Sequence, residues 1–202
     1  MGVACLLLEF RLPSRSGPPE LAMPLPNFRY HPDPVKSGNL VVSEETCVCC
    51  DKKRGYIYTV SVYAESDDLE NALCPWCIAD GSAHRKFDAS FVDDPGLADE
   101  IPNSARQEIL YRTLGFAGWQ SEQWLACCDD AMAFLEPVGI VEVRRDYPKL
   151  EGTLMHEIVH EWERSGGAAN ELLNSLHREH GPTANAFRCL HCGEHKAYID
   201  IW

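Results

Sequence analysis

Apolar and polar residues alternate in two different periods along the chain, and the periods predict a mixture of short strands and helices. Gly55-Tyr-Ile-Tyr-Thr-Val-Ser-Val-Tyr63 is β-branched and aromatic, the composition of one strand or of two with a bend. Asp67 to Leu73 is expected to form a short helix capped by Ser66 or Asp67. Ser104 to Leu114 reads as a helix with Ser104 as cap and Gly115 as stop. Gly139 to Val143 reads as a strand. Leu150 to Arg164 and Ala168 to His180 read as two helices parted by Ser165-Gly166-Gly167, the second ended by Gly181-Pro182. The chain closes on Ala186 to Gly193 and Lys196 to Trp202, two strands of a hairpin. The order of elements predicts an α+β fold of short strands, central and C-terminal helices and a C-terminal hairpin.

Before this pattern starts, Arg11 to Pro26 holds five prolines with Ser14, Ser16 and Gly17 and keeps no period. Residues 1–22 are therefore read as a flexible tail or an upstream-start artefact, and residues 23–202 as one domain. A chain of 202 residues can bury a real core. No apolar run reaches the roughly 18 residues of a membrane-spanning helix. The stretch Val3 to Leu8 has no preceding Lys or Arg, which makes a poor secretory signal. With 18 basic and 31 acidic residues the formal charge is −13, so nucleic-acid binding through a basic footprint is disfavoured.

The ten cysteines change the picture. Without a secretory signal they point to metal binding in a reducing compartment, and hence to the cytoplasm, rather than to a disulfide framework. Three C-x-x-C pairs occur: Cys47/Cys50, Cys74/Cys77 and Cys189/Cys192. Two intervening residues let one tight turn aim both sulfurs at one ion, and two such turns complete the tetrahedron of a structural zinc. Cys47, Cys50, Cys74 and Cys77 form the first expected site, with room for a strand and a short helix between the pairs. Cys189 and Cys192 make a half-site, in which Gly193 supplies the positive φ of a metal-binding turn. Its candidate partners are Cys127 and Cys128, then Asp129, Asp130, His191 and His195. Adjacent cysteines in extended chain point opposite ways, so one of Cys127 and Cys128 is open to a core role. Cys49 is read as a buried thiol.

Two enzymatic readings compete with a structural metal. His156-Glu157-Ile158-Val159-His160 matches H-E-x-x-H inside an expected helix, which sets both imidazoles on one face with Glu157 as base for a zinc-bound water. The opposing reading is an amphipathic helix burying Leu154 and Ile158 with the histidines solvated. Cys74-Pro75-Trp76-Cys77 is similar to a glutaredoxin-type dithiol, although the expected order of elements is not thioredoxin-like.

From Pro24 onward the chain resembles the CbrC-like family of bacterial proteins associated with colicin E2 tolerance. The resemblance is carried by Leu25-Pro-Asn-Phe-Arg-Tyr-His-Pro-Asp-Pro34, Cys47-x-Cys-Cys50, Arg54-Gly-Tyr-Ile-Tyr58, Leu73-Cys-Pro-Trp-Cys-Ile-Ala-Asp-Gly81, Lys86-Phe-Asp88, Trp124-Leu125 with Cys128, and Cys189-Leu-His-Cys-Gly193. It implies a cysteine-rich, metal-binding protein with no assigned enzymatic mechanism. It also implies a further cysteine near Met132, a place that Cys127 could take. The expectation is a cytoplasmic protein holding one Zn²⁺, or two if the third pair finds its ligands, and acting on a protein partner in tolerance to a colicin-type toxin.

Overall fold

The computed structural model describes residues 24–201, so the lead-in read over residues 1–22, with Cys5, and the final Trp202 of the hairpin lie outside the described residues. The chain runs through β1 (Leu40–Ser43), β2 (Gly55–Tyr58), a 3₁₀ turn (Asp67–Leu69), α1 (Pro75–Ala79), α2 (Ser82–Phe87), a second 3₁₀ turn (Asp94–Gly96) and α3 (Asn103–Arg112). It continues through β3 (Ala126–Cys127), β4 (Asp130–Ala131), β5 (Ala133–Val138), α4 (Ile140–Asp146), α5 (Leu150–His160), α6 (Gly166–Ser175), β6 (Thr183–Arg188) and β7 (His195–Asp200). Helices and strands share one chain in the α+β manner. Among the described residues no helix is long and apolar enough to cross a membrane.

The main sheet has the order β5-β6-β7, antiparallel throughout. Its central strand is buried on both faces, and the alternation of side chains divides two cores. Ala184 and Ala186 of β6, with Ala197 and Ile199 of β7, meet Val143, Leu154, Ile158 and Leu173 of the three C-terminal helices. Phe187 and Tyr198 face the other way, into an aromatic cluster with Phe116, Trp124 and Phe134. Phe116 and Phe134 stack at 4.0 Å between ring centres, and Trp124 donates from Nε1 to the Met132 carbonyl at 2.8 Å. Phe134 and Val138 are four residues apart and would share one face of a regular strand. A register shift between Phe134 and Glu136 turns β5 over, so that Phe134 enters the aromatic core and Val138 the helical one.

Glu136, beside the bulge, is only 1% exposed. Burial alone would raise its pKa. The ammonium of Lys36 and the hydroxyl of Tyr147 bond the carboxylate, and the Arg178 guanidinium adds a third partner, so the net shift is downward. The ion pairs tie the chain after Tyr30 to the C-terminal half.

Several expected elements differ. Gly139 to Val143 is not a strand. Gly139 caps α4, the Glu142 carboxylate accepts its N–H at 3.0 Å, and the Ile140 N–H is taken by the Leu176 carbonyl rather than by a strand neighbour. A side chain at Gly139 would meet that carbonyl at 2.8 Å, which explains the glycine. Ser104 lies inside α3, whose cap position is Pro102, and the helix ends at Arg112 ahead of Gly115. The helix expected over Leu150–Arg164 stops at His160. That over Ala168–His180 starts earlier, within the glycine pair, and ends at Ser175. There Leu176 turns extended and the His177 N–H is drawn to the Pro182 carbonyl. The expected helix over Asp67–Leu73 shrinks to one 3₁₀ turn, with the Ser66 hydroxyl capping it as read.

The Phe134 ring joins the bulged strand to the aromatic cluster. Phe134→Ala is expected to cost about 3–5 kcal/mol of unfolding free energy, read from urea melts; a loss below about 1 kcal/mol would show that the stack is not central to the fold.

Candidate metal centres

The first centre is assembled by two short turns on either side of β2. After β1, the Asp51 N–H bonds the Cys47 carbonyl at 2.8 Å and Asp51 takes a positive φ of 55°, which folds Cys47 and Cys50 to one side. Cys74 is the cap of α1 and Cys77 lies one turn in, with Pro75 at the first helical position, where its missing N–H has no cost. Two backbone bonds hold the turns together, from the Val48 N–H to the Ala72 carbonyl at 3.0 Å and from Tyr58 to Leu73 at 2.9 Å. The four sulfurs converge within 4.8 Å of one another. Cys47 and Cys74 are fully buried and Cys77 is 2% exposed, amid Phe28, Leu40, Leu73 and Ile78.

The second centre joins two hairpins. Cys127 ends β3, and Cys128 and Asp129 form its two-residue turn with φ of 55° and 56°, the paired left-handed conformation of a tight β-hairpin. Cys189 and Cys192 form the turn between β6 and β7. Gly193 has the expected positive φ of 75°, and the His191 and Cys192 N–H groups both point at the Cys189 sulfur, at 3.4 and 3.5 Å. These four sulfurs also lie within 4.8 Å of one another.

The spacing of the sulfurs suits a small tetrahedral ion. A Zn–S bond of about 2.3 Å places sulfurs at the corners of a tetrahedron with edges of about 3.8 Å. In the first centre Cys47–Cys77 and Cys50–Cys74 are 3.9 Å apart and Cys74–Cys77 3.5 Å. In the second, Cys127–Cys128 is 3.7 Å and Cys127–Cys192 3.8 Å. Four thiols at this spacing cannot all ionise without a cation between them. The Cys47 thiol is drawn down to about 4 by the hydrogen bond from the Cys74 thiol and by backbone N–H groups, against its burial. Cys74, the donor of that bond, is pushed far up, and burial adds to the rise. Cys189 is lowered to about 6, first by the Cys192 N–H. A divalent ion reverses the cost for the remaining thiols.

The six cysteines of the C-x-x-C pairs, Cys47, Cys50, Cys74, Cys77, Cys189 and Cys192, fall in the two tetrads together with Cys128, expected as a partner of the third pair, and Cys127 completes the second. The opposed directions of neighbouring side chains apply to extended chain. Here Cys128 sits in the hairpin turn, which swings its sulfur back beside that of Cys127. Met132 is buried in the aromatic core. Cys49 faces away from its tetrad, 3.7 Å from the Ser82 hydroxyl. Among the described residues neither tetrad includes a carboxylate or imidazole. Asp130 instead accepts from Tyr30 and Arg29 and lies 2.9 Å from the His191 ring, and His195 packs on Tyr147.

His156 and His160 are brought together on α5, with ring centres 4.1 Å apart. Among the described residues no third ligand gathers with them. Glu157 is engaged elsewhere: its carboxylate accepts the Ile199 N–H on the outer edge of β7 at 2.9 Å. Burial pushes its pKa up to about 7, the Ile199 bond opposes this, and the nearby Glu161 charge adds to it.

The model of UPF0167, described as an uncharacterised protein family, matches residues 25–201. The UPF0167 protein Mb2317 of Mycobacterium bovis is 48% identical over 179 residues, covering 88% of this chain and 94% of that protein. The UPF0167 protein MT2352 of Mycobacterium tuberculosis matches with the same identity and coverage. The UPF0167 protein PA1536 of Pseudomonas aeruginosa is 41% identical over 88% of this chain and 97% of its own length. No solved structure matches.

Glu157 supplies a pH test. Its folded pKa of about 7 exceeds that of an unfolded glutamate, so between those values the folded state holds the extra proton and stability falls as pH rises. Glu157→Gln keeps an acceptor for Ile199 and removes the charge. The variant should melt at the same temperature as the parent or higher at pH 8 and show a flatter profile from pH 5 to 7 in thermal scans. A variant that is less stable at pH 8 would show that the ionised carboxylate is needed there.

Proposed function

The chain belongs to the uncharacterised protein family UPF0167, and we propose that it is a zinc-binding protein that acts by associating with another protein. The observation that carries the zinc reading is the pair of all-cysteine tetrads with edges of 3.5 to 3.9 Å. Four thiolates and no open position are the donor set of structural zinc, which orders a fold rather than activating water. At the first centre the ion links the turn after β1 to α1. At the second it links β3–β4 to β6–β7. Iron is the competing ion for four sulfurs in a tetrahedron, and colour distinguishes the two.

A structural metal leaves the function to the surface it organises. Among the described residues β1 pairs only with β2, and it shows Val41 and Val42 to solvent, 44% and 62% exposed, close in sequence to the first cysteine pair. The outer edge of β1 is covered at Leu40, whose N–H bonds the Pro34 carbonyl, and beyond it the apolar side chains suit contact with an extended partner segment. The charge of −13 favours a basic protein over nucleic acid. The resemblance to CbrC-like proteins directs the search toward a colicin-type toxin, with the protein acting in the cytoplasm, where thiols stay reduced.

Elemental analysis of the purified chain is expected to give two zinc ions per molecule and no iron. Cobalt in their place should show thiolate charge-transfer bands and the visible bands of tetrahedral Co²⁺. Cys74→Ser should remove one equivalent and lower the melting temperature substantially, because a structural zinc contributes roughly 10 to 16 kcal/mol of apparent binding free energy. Unchanged zinc content together with unchanged melting in Cys74→Ser would end the assignment of the first centre.

A further inference from the structure

The two tetrads have the same donors and different exposure. Cys47 and Cys74 have no exposure and Cys77 only 2%, under the side chains of Phe28, Leu40, Leu73 and Ile78, while Cys50 is half-buried. In the second tetrad Cys128 and Cys192 are exposed, Cys127 is half-buried, and Cys189 is covered at 2%. A groove of about 350 Å³ opens directly on Cys127 and Cys128, with Lys196, Glu100 and Asp129 among the residues along it. We propose, building on the zinc reading above, that Cys127, Cys128, Cys189 and Cys192 form an exchangeable metal site, which takes and gives up zinc through soluble anionic thiolate ligands, while the first tetrad keeps its ion for the life of the fold.

The argument rests on how a filled tetrahedral ion changes partners. With no vacant position, an incoming ligand would have to approach the ion through one face of the tetrahedron before a protein thiolate leaves, so the solvent access of that face governs the rate. Apolar side chains close the first centre on the side of Cys47, Cys74 and Cys77. At the second centre Cys128 and Cys192 are exposed residues and the groove leads to Cys127 and Cys128, with Lys196 beside it, its ammonium on the Ala126 carbonyl. In each exchange a new bond forms from the incoming sulfur to zinc, the bond from Cys128 or Cys192 to zinc breaks, and the displaced thiolate takes a proton from water. No electrons are transferred. Cys189, buried and held by two N–H groups, is the last to leave.

Occupancy also has a structural readout. β3 and β4 have two residues each, too few for a hairpin to stand alone, so the ion would add to the order that Asp130 gains from Tyr30 and Arg29. Release frees the turn at Cys128 and Asp129 and the turn from Cys189 to Gly193.

The experiment uses the full-length protein loaded with two zinc ions and challenged with the chromophoric chelator 4-(2-pyridylazo)resorcinol. One equivalent is expected to leave at least about tenfold faster than the other. In Cys192→Ser the fast equivalent should be gone and the slow one retained, and Cys128→Ser provides the same reading should the first variant not fold. Hydrogen exchange should rise over residues 126–131 and 189–195 after the fast phase and stay unchanged over residues 47–77. Two equivalents leaving together, or a fast phase that survives both substitutions, would overturn the exchangeable site. A single equivalent that Cys74→Ser abolishes would overturn it too, while leaving the first zinc centre standing. A protein without zinc would remove both proposals.

Discussion

Ionised thiols repel one another, and a protein that crowds four sulfurs within 4.8 Å has either to keep most of them protonated or to supply a cation. This constraint operates at two places in the molecule, and each place is a junction between segments far apart in sequence. Around the first, a hydrophobic shell covers Cys47, Cys74 and Cys77 and leaves Cys50 half-buried. Around the second, shielding is partial and the backbone N–H groups at Cys189 do part of the work.

The sheet gives those junctions a fixed frame. β6 lies between an aromatic core and a helical core and continues into the turn that carries Cys189 and Cys192. Tyr30 hydrogen-bonds Asp130 and is itself part of the aromatic core, so the segment before β1 is registered on the hairpin bearing Cys127 and Cys128. Packing and the Tyr30 bond thus position the second centre, on a hairpin whose strands have only two residues each.

Sequence made the chemistry more legible than the path of the chain. C-x-x-C spacing is a local signal, because a two-residue turn decides where both sulfurs point, and the six cysteines it singled out all sit in tetrads. Cys127 was harder to read, since its role depends on Cys128 adopting the left-handed turn. The β6–β7 hairpin followed from its composition. β5 did not, because Ala133 to Val138 contains Glu136 and Pro137 and changes face at a bulge, which breaks the period of two. Gly139 to Val143 has the β-branched residues of a strand, yet the carbonyl of Leu176, distant in sequence, and the cap made by Glu142 settle it as helix. The H-E-x-x-H stretch had the helix and the facing imidazoles expected of it, but Glu157 is bonded to β7.

That bond from Glu157 to Ile199 has a consequence for how copies of the protein meet. Strands at the rim of a sheet invite others to add on, and runaway addition ends in aggregates. At one rim, the Phe134 N–H is taken by the Tyr30 carbonyl and Pro137 offers no donor. At the other, the Glu157 carboxylate occupies the Ile199 N–H. At each rim of the main sheet a position that a second copy would need for pairing is thus already taken, so neither β5 nor β7 presents a bare edge to another chain.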